Sequence, residues 1–381
     1  MHTYARYSVA FVEGHGARIK DADGREYLDF LAGIAVSNLG HSHPNVIEAI
    51  CSQAHKLIHT SNLYHIEPQS RLSKLLCENS FADKVFYANS GAEANEAAIK
   101  LARKYFSGAD KPRHRIISME KSFHGRTMAA MAATGQKKVQ EGFEPLLEKF
   151  QYVPFGDIDG ISAVIDDKVA AVMIEPVQGE GGVNLPPEGF FKALRKICDE
   201  HGVLIILDEV QTGVGRTGKL FAYEHYGVEP DIMTLAKGLA GGVPIGAMLA
   251  SDKVAAAFTP GSHASTFGGN FLSTAAAKAV IETILGEGVL ENCNKVGAYL
   301  TEKLNALKSE FDFITEVRGK GLMVAMEMTV PGVEIVNECM ERGLLINCTA
   351  EKVLRFLPPL IITEADVDEM IGILKSVLEE L

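Results

Sequence analysis

Short apolar runs alternate with amphipathic stretches through the middle of the chain, and this pattern sets the expected architecture. Several of the runs are continuously apolar, which is typical of strands that helices cover on both faces. Strand and helix alternate along this region, which predicts an α/β fold with a central, mostly parallel sheet covered by helices. The predicted strands are Val85–Ala88, Ile116–Met119, Ala170–Ile174, Val203–Leu207, Ile232–Ala236 and Ile245–Ala250.

The two ends of the chain show other patterns. Near the N-terminus, Arg18–Phe30 alternates apolar and polar residues around Asp21-Ala22-Asp23-Gly24, which predicts a β-hairpin. Helical periodicity follows over Pro44–Ile58 and Glu67–Asn79.

The C-terminal part mixes helices and strands. The predicted elements are a helical stretch from Phe271 to about Phe311, strands at Gly321–Met328, Leu344–Cys348 and Val353–Leu357, a helix near Gly332–Arg342 and a last helix from Glu364. Thr363 and Asp366 have the spacing of a capping box for that last helix. We therefore expect a large domain over residues 44–272, and a small α+β lobe formed by the N-terminal segment, residues 1–43, and by residues 273–381.

Composition and charge exclude some classes of partner. The 381 residues are 47% hydrophobic and 23% charged, as in an ordinary globular protein. The formal net charge is −12 and no stretch concentrates Lys or Arg, which argues against nucleic acid and anionic membrane as partners. No apolar run approaches the ~18 residues of a membrane helix, and residues 1–16 show no signal peptide. We expect a cytoplasmic protein.

The cysteines form no C-x-x-C pair, and the chain is not a small secreted scaffold. We therefore predict no bound metal and no disulfide, and expect buried free thiols in a reducing compartment. The cysteines are Cys51, Cys77, Cys198, Cys293, Cys339 and Cys348.

A glycine opens a predicted helix directly after the first strand of the middle section. Ser90 and Glu93 have capping-box spacing, and Gly91 leaves backbone N–H groups open at the positive end of the helix dipole. Such a helix start suits a phosphate group. Taken alone, this segment is better explained as a normally capped helix with no ligand.

Two other predicted strands end in ionisable residues. Val203–Leu207 is followed by Asp208, at the strand end where α/β folds bind ligands, although a helix cap or a metal ligand is also compatible with an aspartate there. Ile232–Ala236 is followed by Lys237 and a glycine-rich stretch. A desolvated lysine favours its amine form and reacts with aldehydes. Lysine, aspartate and a phosphate-binding helix start are together the set that pyridoxal 5′-phosphate (PLP) requires.

A second glycine-rich loop offers a competing interpretation. Gly213-Val-Gly215-Arg-Thr-Gly218 matches G-x-G-x-x-G after a strand, which would suit a nicotinamide dinucleotide. The two acids Asp208 and Glu209 would however lie beside the pyrophosphate. The loop also resembles a P-loop, but Leu220 stands where Ser or Thr binds magnesium. A nicotinamide-dependent dehydrogenase stays open as the remote alternative.

Ordered motifs along nearly the whole chain resemble those of the class III aminotransferases of PLP fold type I. They are Gly40-His-Ser-His-Pro44, Asn89-Ser-Gly-Ala-Glu-Ala-Asn-Glu96, Ser122-Phe-His-Gly-Arg-Thr127, Glu175-Pro-Val-Gln-Gly-Glu180-Gly, Leu207-Asp-Glu-Val-Gln-Thr-Gly213, Leu235-Ala-Lys-Gly238, Ser265-Thr-Phe-Gly-Gly-Asn270 and Leu354-Arg-Phe-Leu-Pro-Pro359. The resemblance implies a fold with a seven-stranded type of sheet, PLP as the cofactor and amino acids as substrates.

The resemblance also implies roles around the cofactor ring. Lys237 would hold PLP and then move the proton between substrate and cofactor, and Asp208 would pair with the pyridinium nitrogen. Gln211 would bind the phenolic oxygen. Phe123 and Val210 would lie on the two faces of the ring.

The cofactor phosphate would lie at the start of the helix. Ser90, Gly91 and Ala92 would surround it, and Thr266 would reach it from the partner subunit, because sites of this family lie at a dimer interface. The resemblance therefore implies a homodimer. The family often carries Thr where this chain has Ala92, so one hydroxyl contact to the phosphate is in doubt.

The substrate-binding residues implied by the resemblance are Arg126, Glu180, Ser265, Arg355 and Ile34. Arg126 and Arg355 would bind carboxylates, and Glu180 would neutralise Arg355 when a δ-amino donor is bound. The three histidines His41, His43 and His124 are interpreted as structural, since Lys237 already provides the base.

The expected reaction is transfer of the δ-amino group of N-acetylornithine to 2-oxoglutarate, a step of arginine biosynthesis. Ornithine δ-aminotransferases typically carry tyrosine where this chain has Ile34, and isoleucine offers no hydrogen bond to a free α-ammonium group. Succinylated amines, ornithine and 4-aminobutyrate remain alternative donors.

Overall fold

The computed structural model of the protein describes residues 1–108, 110 and 112–381. Its strands are β1 (Phe11–His15), β2 (Arg18–Asp21), β3 (Glu26–Asp29), β4 (Lys84–Ala88), β5 (Arg115–Met119), β6 (Phe150–Val153), β7 (Val169–Ile174), β8 (Leu204–Asp208), β9 (Ile232–Leu235), β10 (Gly246–Ala250), β11 (Ile314–Lys320), β12 (Met323–Met328), β13 (Leu344–Leu345), β14 (Asn347–Thr349) and β15 (Val353–Phe356).

The helices lie between these strands and around them. They are α1 (Ala32–Ala35), α2 (Pro44–Lys56), α3 (Glu67–Glu78), α4 (Gly91–Tyr105), α5 (Met128–Ala133), α6 (Lys137–Gln140), α7 (Ile158–Val164), α8 (Phe190–His201), α9 (Asp252–Ala255), α10 (Phe271–Gly286), α11 (Val289–Glu310), α12 (Val333–Glu341) and α13 (Glu364–Leu378). Two short 3₁₀ turns span Ala222–His225 and Lys237–Ala240.

A seven-stranded sheet forms the centre, in the order β4-β10-β9-β8-β7-β5-β6. Neighbouring strands from β9 to β6 are parallel, and β10 is antiparallel to both β9 and β4. Strands β7 to β10 are buried at every position, because helices cover both faces. The predicted mostly parallel α/β fold is confirmed.

Two smaller sheets involve the ends of the chain. One has the order β1-β2-β3-β13, and the other β11-β12-β15-β14. The predicted hairpin is present as the antiparallel pair β2 and β3. Strand β13 pairs in parallel with β3, which joins the N-terminal hairpin to the C-terminal part of the chain.

Several elements differ from the sequence prediction. Strands β1, β6 and β11 were not predicted. The single helical stretch after Phe271 is two helices separated at Gly288, whose φ of +69° does not fit a right-handed helix. The predicted capping box of the last helix is present: the Thr363 hydroxyl accepts from the Asp366 N–H, and the Asp366 carboxylate accepts from the Thr363 N–H.

The cysteines are free, but they are not all buried as expected. Cys198, Cys293 and Cys339 are buried, whereas Cys51 is exposed and the other two cysteines are partly exposed. Cys51 lies on a face of α2 that is exposed in the single chain, as is Ile47 one turn earlier. Among the described residues, no helix is both long and apolar enough to cross a membrane.

Parallel strands place their carboxyl ends at one edge of the sheet, and this arrangement positions the candidate site. Glu175 follows β7, Asp208 ends β8 and Lys237 follows β9 by two residues. Helix α4 starts at Gly91, shortly after β4, and packs across β9 and β10. Residues far apart in the sequence therefore meet at this edge.

Candidate active site

A cavity of about 410 Å³ opens at the carboxyl ends of β7, β8 and β9. Its wall is formed by strand ends, the first turn of α4 and the segment before α5. The predicted residues that line it are Ser90, Gly91, Ala92, Phe123, Arg126, Glu180, Asp208, Val210, Gln211 and Lys237. The volume is in the range of small-molecule sites.

Lys237 lies in the wall of this cavity, at the start of a 3₁₀ turn. Desolvation lowers the pKa of its amine to about 8, although the nearby Glu180 carboxylate favours the charged form. With this pKa roughly a tenth of the Lys237 side chains carry an uncharged amine at pH 7, far more than for an ordinary lysine. This is the state in which a lysine acts as a nucleophile or as a base.

Asp208 is 3% exposed and accepts three hydrogen bonds. Its Oδ1 accepts from the backbone N–H of Val210 at 3.0 Å. Its Oδ2 accepts from Asn95 Nδ2 at 2.8 Å and pairs with His124 Nδ1 at 2.7 Å. These donors hold the carboxylate in one orientation at the end of β8.

A buried cation lies behind the Glu180 carboxylate, which lines the cavity. Arg355, fully buried on β15, donates from Nη1 to Glu180 Oε1 at 2.7 Å and to Gln211 Oε1 at 3.2 Å. Burial opposes ionisation of Glu180, but Arg355 and Lys237 favour its carboxylate and together lower its pKa. Asn347 Oδ1 accepts from Arg355 Nε at 3.2 Å.

One nitrogen of this arginine has no protein partner. Arg355 Nη2 is buried without a hydrogen bond to any described residue. An unpaired buried donor is costly, and a carboxylate ligand would satisfy it. The ion pair with Glu180 and the free Nη2 together suit an arginine that exchanges its partner.

Phe123 and Val210 line the cavity from the segment before α5 and from the turn after β8. The packing at the start of α4 requires glycine, since a Cβ at Gly91 would lie 2.7 Å from Val210 Cγ1. Arg126 is exposed at the mouth, with its guanidinium 5.8 Å from the centre of the Phe123 ring.

The start of α4 shows one half of the capping box that the spacing of Ser90 and Glu93 suggested. Ser90 is extended, and its hydroxyl accepts from the Glu93 N–H at 3.2 Å. The Glu93 carboxylate binds the N–H of Asn89 instead of completing the capping box. The first N–H groups of a helix have no acceptor within it, so those of Gly91 and Ala92 are available to an anion.

Four of the predicted site residues do not line the cavity of the single chain: Ser265, Thr266, Ile34 and Arg355, which lies behind Glu180. The Ser265 hydroxyl accepts from Asn89 Nδ2 at 3.2 Å, behind the helix start. Thr266 is exposed. Ile34 is 38% exposed in a left-handed turn of φ +66°, while Val36 reaches the cavity wall.

The sequence interpretation missed four residues of the site. Glu175 lines the cavity, and burial together with the charge of Asp208 raises its pKa well above the usual value. Asn95 and His124 bind Asp208, and Asn347 binds Arg355. In the sequence, Glu175 directly follows an apolar run, as Asp208 does, and this pattern could have identified it as a site residue. The contacts of the other three depend on tertiary structure.

The competing glycine-rich loop has no room for a dinucleotide. A Cβ at Gly215 would lie 2.9 Å from Leu360 Cδ1, and one at Gly218 would lie 2.1 Å from Asn294 Oδ1. Protein side chains therefore occupy the space that a pyrophosphate would need. The side chain of Arg216, between these glycines, is fully buried.

Comparison with known proteins adds a family to this geometry. The family described as "Aminotransferase class-III" matches residues 2–378. An acetylornithine aminotransferase of Caldanaerobacter subterraneus is 55% identical, over 100% of this chain and 97% of that protein. One of Methanocaldococcus jannaschii is 51% identical, over 100% of this chain and 96% of that protein.

Solved structures show the same fold. An ornithine aminotransferase of Toxoplasma gondii, described with partial occupancy of PLP at its active site, has a TM-score of 0.93 and 35% identity, over 99% of this chain and 92% of its own. An acetylornithine aminotransferase of Elizabethkingia anophelis has a TM-score of 0.89 and 35% identity, over 100% of this chain and 96% of its own.

Proposed function

The chain belongs to the class III aminotransferases, and on that premise we propose that it transfers the δ-amino group of N-acetylornithine to 2-oxoglutarate with PLP as cofactor. The products are N-acetylglutamate 5-semialdehyde and glutamate. Relatives named acetylornithine aminotransferase, at 47–55% identity over nearly the full chain, support this donor.

One observation carries the proposal. Lys237, whose amine has a pKa of about 8, and Asp208, held by three hydrogen bonds, line the same cavity from neighbouring parallel strands. PLP needs an amine for its aldehyde and an anion for its ring nitrogen, and both are present here. The open N–H groups of Gly91 and Ala92 suit its phosphate.

When bound, PLP supplies an aldehyde for amines and an electron-withdrawing ring that stabilises negative charge on the adjacent carbon. The protein supplies the proton transfer: the Lys237 amine accepts the proton that leaves Cδ of the donor. Asp208 keeps the ring nitrogen protonated, and Phe123 and Val210 hold the ring between them. Gln211 donates to the phenolic oxygen.

Substrate carboxylates are bound by arginine. Glu180 neutralises Arg355 while the δ-amino donor is present, and it releases Arg355 to the α-carboxylate of 2-oxoglutarate or glutamate. The unpaired Arg355 Nη2 supports this exchange. Arg126, exposed at the mouth of the cavity, binds the second carboxylate.

A homodimer in the cytoplasm completes the proposal. The exposed Thr266 lies outside the cavity of its own chain, beside the exposed Phe267, which suits a contribution to a second copy's site. Leu63 and Tyr64 are exposed as well, at 87% and 70%. Large apolar side chains of this kind are typical of surfaces that a partner covers.

The test is direct competition between N-acetylornithine and ornithine for 2-oxoglutarate. We expect a kcat/KM for N-acetylornithine that is roughly ten- to a hundredfold higher, since the apolar wall at Val36 offers no partner to a free α-ammonium group. Succinylornithine and 4-aminobutyrate complete the donor panel.

Borohydride reduction of the holoenzyme, followed by peptide mapping, tests the cofactor separately. We expect the label on Lys237. A label on another lysine would refute the cofactor assignment, whereas equal use of ornithine would refute only the choice of donor. Ornithine is the second candidate, because the solved ornithine aminotransferase shares the fold at a TM-score of 0.93.

A further inference from the structure

A buried chain of hydrogen bonds runs from β9 through Asn95 in the cavity wall and ends on Asp208. Thr234 Oγ1 on β9 donates to Asn95 Oδ1 at 2.7 Å, and Asn95 Nδ2 on α4 donates to Asp208 Oδ2 at 2.8 Å. The same Nδ2 also donates to the backbone oxygen of His124 at 2.7 Å. Asn95 is 1% exposed and Thr234 is fully buried.

The orientation of the Asn95 amide is determined by its partners. The carbonyl oxygen of His124 only accepts hydrogen bonds, so the amide nitrogen must face it, and the second hydrogen of that nitrogen then faces Asp208. The Thr234 hydroxyl donates to the remaining amide oxygen. All polar atoms of the Asn95 side chain are therefore used, and a flipped amide would lose the bonds to His124 and Asp208.

The second donor to the same carboxylate oxygen is His124. As a carboxylate Asp208 offers only acceptors, so His124 Nδ1 must carry the hydrogen of the 2.7 Å contact. His124 Nε2 is buried and has no protein partner among the described residues. The histidine interpreted as structural from the sequence thus binds a site residue directly.

We propose that Asn95 is a positioning residue for the cofactor: it ties Asp208 to the helix that begins at the phosphate site, and it keeps that carboxylate an anion aimed at the ring nitrogen. The proposal rests on the proposed PLP-dependent function. Helix α4 would then fix two anchors of one ligand, the phosphate at Gly91 and the ring nitrogen through Asn95, four residues further along the helix.

The substitution Asn95→Asp tests this role through pH. As an acid, the new carboxyl group donates to Asp208 and partly replaces the amide. As an anion, it repels Asp208, and two carboxylates at about 3 Å do not both ionise readily. The variant should therefore bind PLP nearly as the wild type does at about pH 6, and at least about tenfold more weakly, relative to the wild type, at about pH 9.

Besides His124, few ionisable groups surround the pair formed by residue 95 and Asp208. Glu175 and Lys237 face Asp208 from the ends of β7 and β9, and they are present in both proteins under comparison. Glu93 and Glu96 of α4 are turned away, to the N–H groups of Asn89 and Ala129. Strand β10 and helix α5, which also pack on α4, contain no ionisable residue. Strand β4 and helix α9 pack on α4 as well, and their Lys84 and Asp252 pair with each other at the surface.

The measurements are the PLP dissociation constant of the holoenzyme by equilibrium dialysis, and the visible circular dichroism of the bound cofactor, each from pH 6 to 9. The matched control is Asn292→Asp, since Asn292 Nδ2 also donates to two backbone oxygens, of Leu360 and Ile362, but lies away from the cavity. We expect the control to lower the melting temperature without changing cofactor affinity or its pH profile.

A second variant keeps the test valid if Asn95→Asp does not fold. Thr234→Val removes the hydroxyl that holds Asn95 Oδ1, and it should weaken PLP binding about threefold and alter the visible dichroism. The positioning role would be overturned if the PLP affinity of Asn95→Asp, relative to the wild type, did not change with pH. It would also be overturned if Thr234→Val left PLP affinity and visible dichroism unchanged. Failure of wild-type protein to bind PLP would instead overturn the proposed function.

Discussion

Lys237 has a backbone conformation that residues other than glycine seldom adopt. Its φ is +44°, in the left-handed region, where a side chain costs of order 1–3 kcal/mol. The following Gly238 fits closely, because a Cβ there would lie 2.3 Å from Asn38 Nδ2. The surrounding packing therefore holds the lysine at the cavity wall, and strain of this kind is common at functional sites.

Asp208 gives the sharpest prediction at this scale. Asp208→Asn keeps the shape of the side chain but removes its charge. In either orientation the new amide NH2 group would face existing donors: Asn95 and His124 in one, the N–H of Val210 in the other. We expect kcat with N-acetylornithine and 2-oxoglutarate to fall by a hundredfold or more, each decade being about 1.4 kcal/mol.

The matched control for this measurement is Asp166→Asn, an aspartate that pairs with Arg115 at the surface. It should leave kcat within about twofold of the wild type, since exposed pairs contribute little. A near-normal kcat in Asp208→Asn would show that Asp208 does not hold the proton of the ring nitrogen.

Sequence and structure differ in what they reveal about single residues. Lys237 and Asp208 could be proposed from the sequence because each follows an apolar run, and the structure places both at one cavity. Their roles stay predictions. Asn95 could not be assigned, since its three partners lie on other elements, 29 to 139 residues away along the chain.

At the scale of elements, Asp208, the last residue of β8, and Glu209, which follows it, face different surroundings. Asp208 faces the cavity, whereas Glu209 is buried on the other side and accepts from the N–H groups of Ala222 and Tyr223 at 2.7 and 2.8 Å. It thereby caps the first 3₁₀ turn. Burial nevertheless raises the pKa of Glu209 to about 7.

This shift predicts a pH dependence of stability. Because the folded-state pKa of Glu209 lies above the unfolded value of 4.5, the folded protein binds more protons between these values, and its stability falls as the pH rises through this window. The stability of the wild type relative to Glu209→Gln should therefore decrease from pH 5 to 8, by up to about 3 kcal/mol.

Melting temperatures of both proteins at pH 5, 6, 7 and 8 provide the measurement. Glu224→Gln is the control, because the Glu224 carboxylate accepts from the Phe221 N–H at the same 3₁₀ turn but is exposed. A difference between wild type and Glu209→Gln that stays constant with pH would contradict the buried, late-ionising carboxyl group.

Elements were predicted best where the apolar signal was long and continuous. Strands β7 to β10 fall within a residue or two of the predicted runs, as does the hairpin of β2 and β3. Strand β6 has only four residues, Phe150–Val153, with one polar residue among them, so its pattern gave no clear period. Hydrophobic periodicity does not reveal the direction of a strand, so the antiparallel orientation of β10 could not be predicted from it.

At the scale of the whole molecule, Arg216 joins parts of the chain that are distant in sequence. Its Nη2 donates to Asn38 Oδ1 at 2.7 Å and its Nη1 to the backbone oxygen of Leu322 at 2.9 Å, with Pro358 as a further acceptor. The guanidinium is fully buried, and burial lowers its pKa to about 10. The division of the chain into three parts at residues 43 and 272 stays a prediction. Arg216 belongs to the middle part and donates hydrogen bonds to residues of the other two.

The substitution Arg216→Met tests this connection. It removes a buried charge, which by itself favours folding, but it leaves the oxygens of Leu322, Pro358 and Asn38 without their donor. Each unpaired buried acceptor costs about 1–3 kcal/mol, so the lost bonds outweigh the relief and the net loss should be about 3–5 kcal/mol.

Thermal unfolding of the holoenzyme, followed in parallel by far-ultraviolet dichroism and by cofactor absorbance, gives the measurement. Arg113→Met is the matched control, since Arg113 also donates to two backbone oxygens, of His201 and Gly202, but at the surface, where water replaces the lost donor. We expect a drop of several degrees for Arg216→Met and less than about one degree for the control. Equal, small drops would mean that the parts of the chain pack together without help from this arginine, because apolar burial alone would then hold the N-terminal segment, the loop after β8 and the C-terminal strands in place.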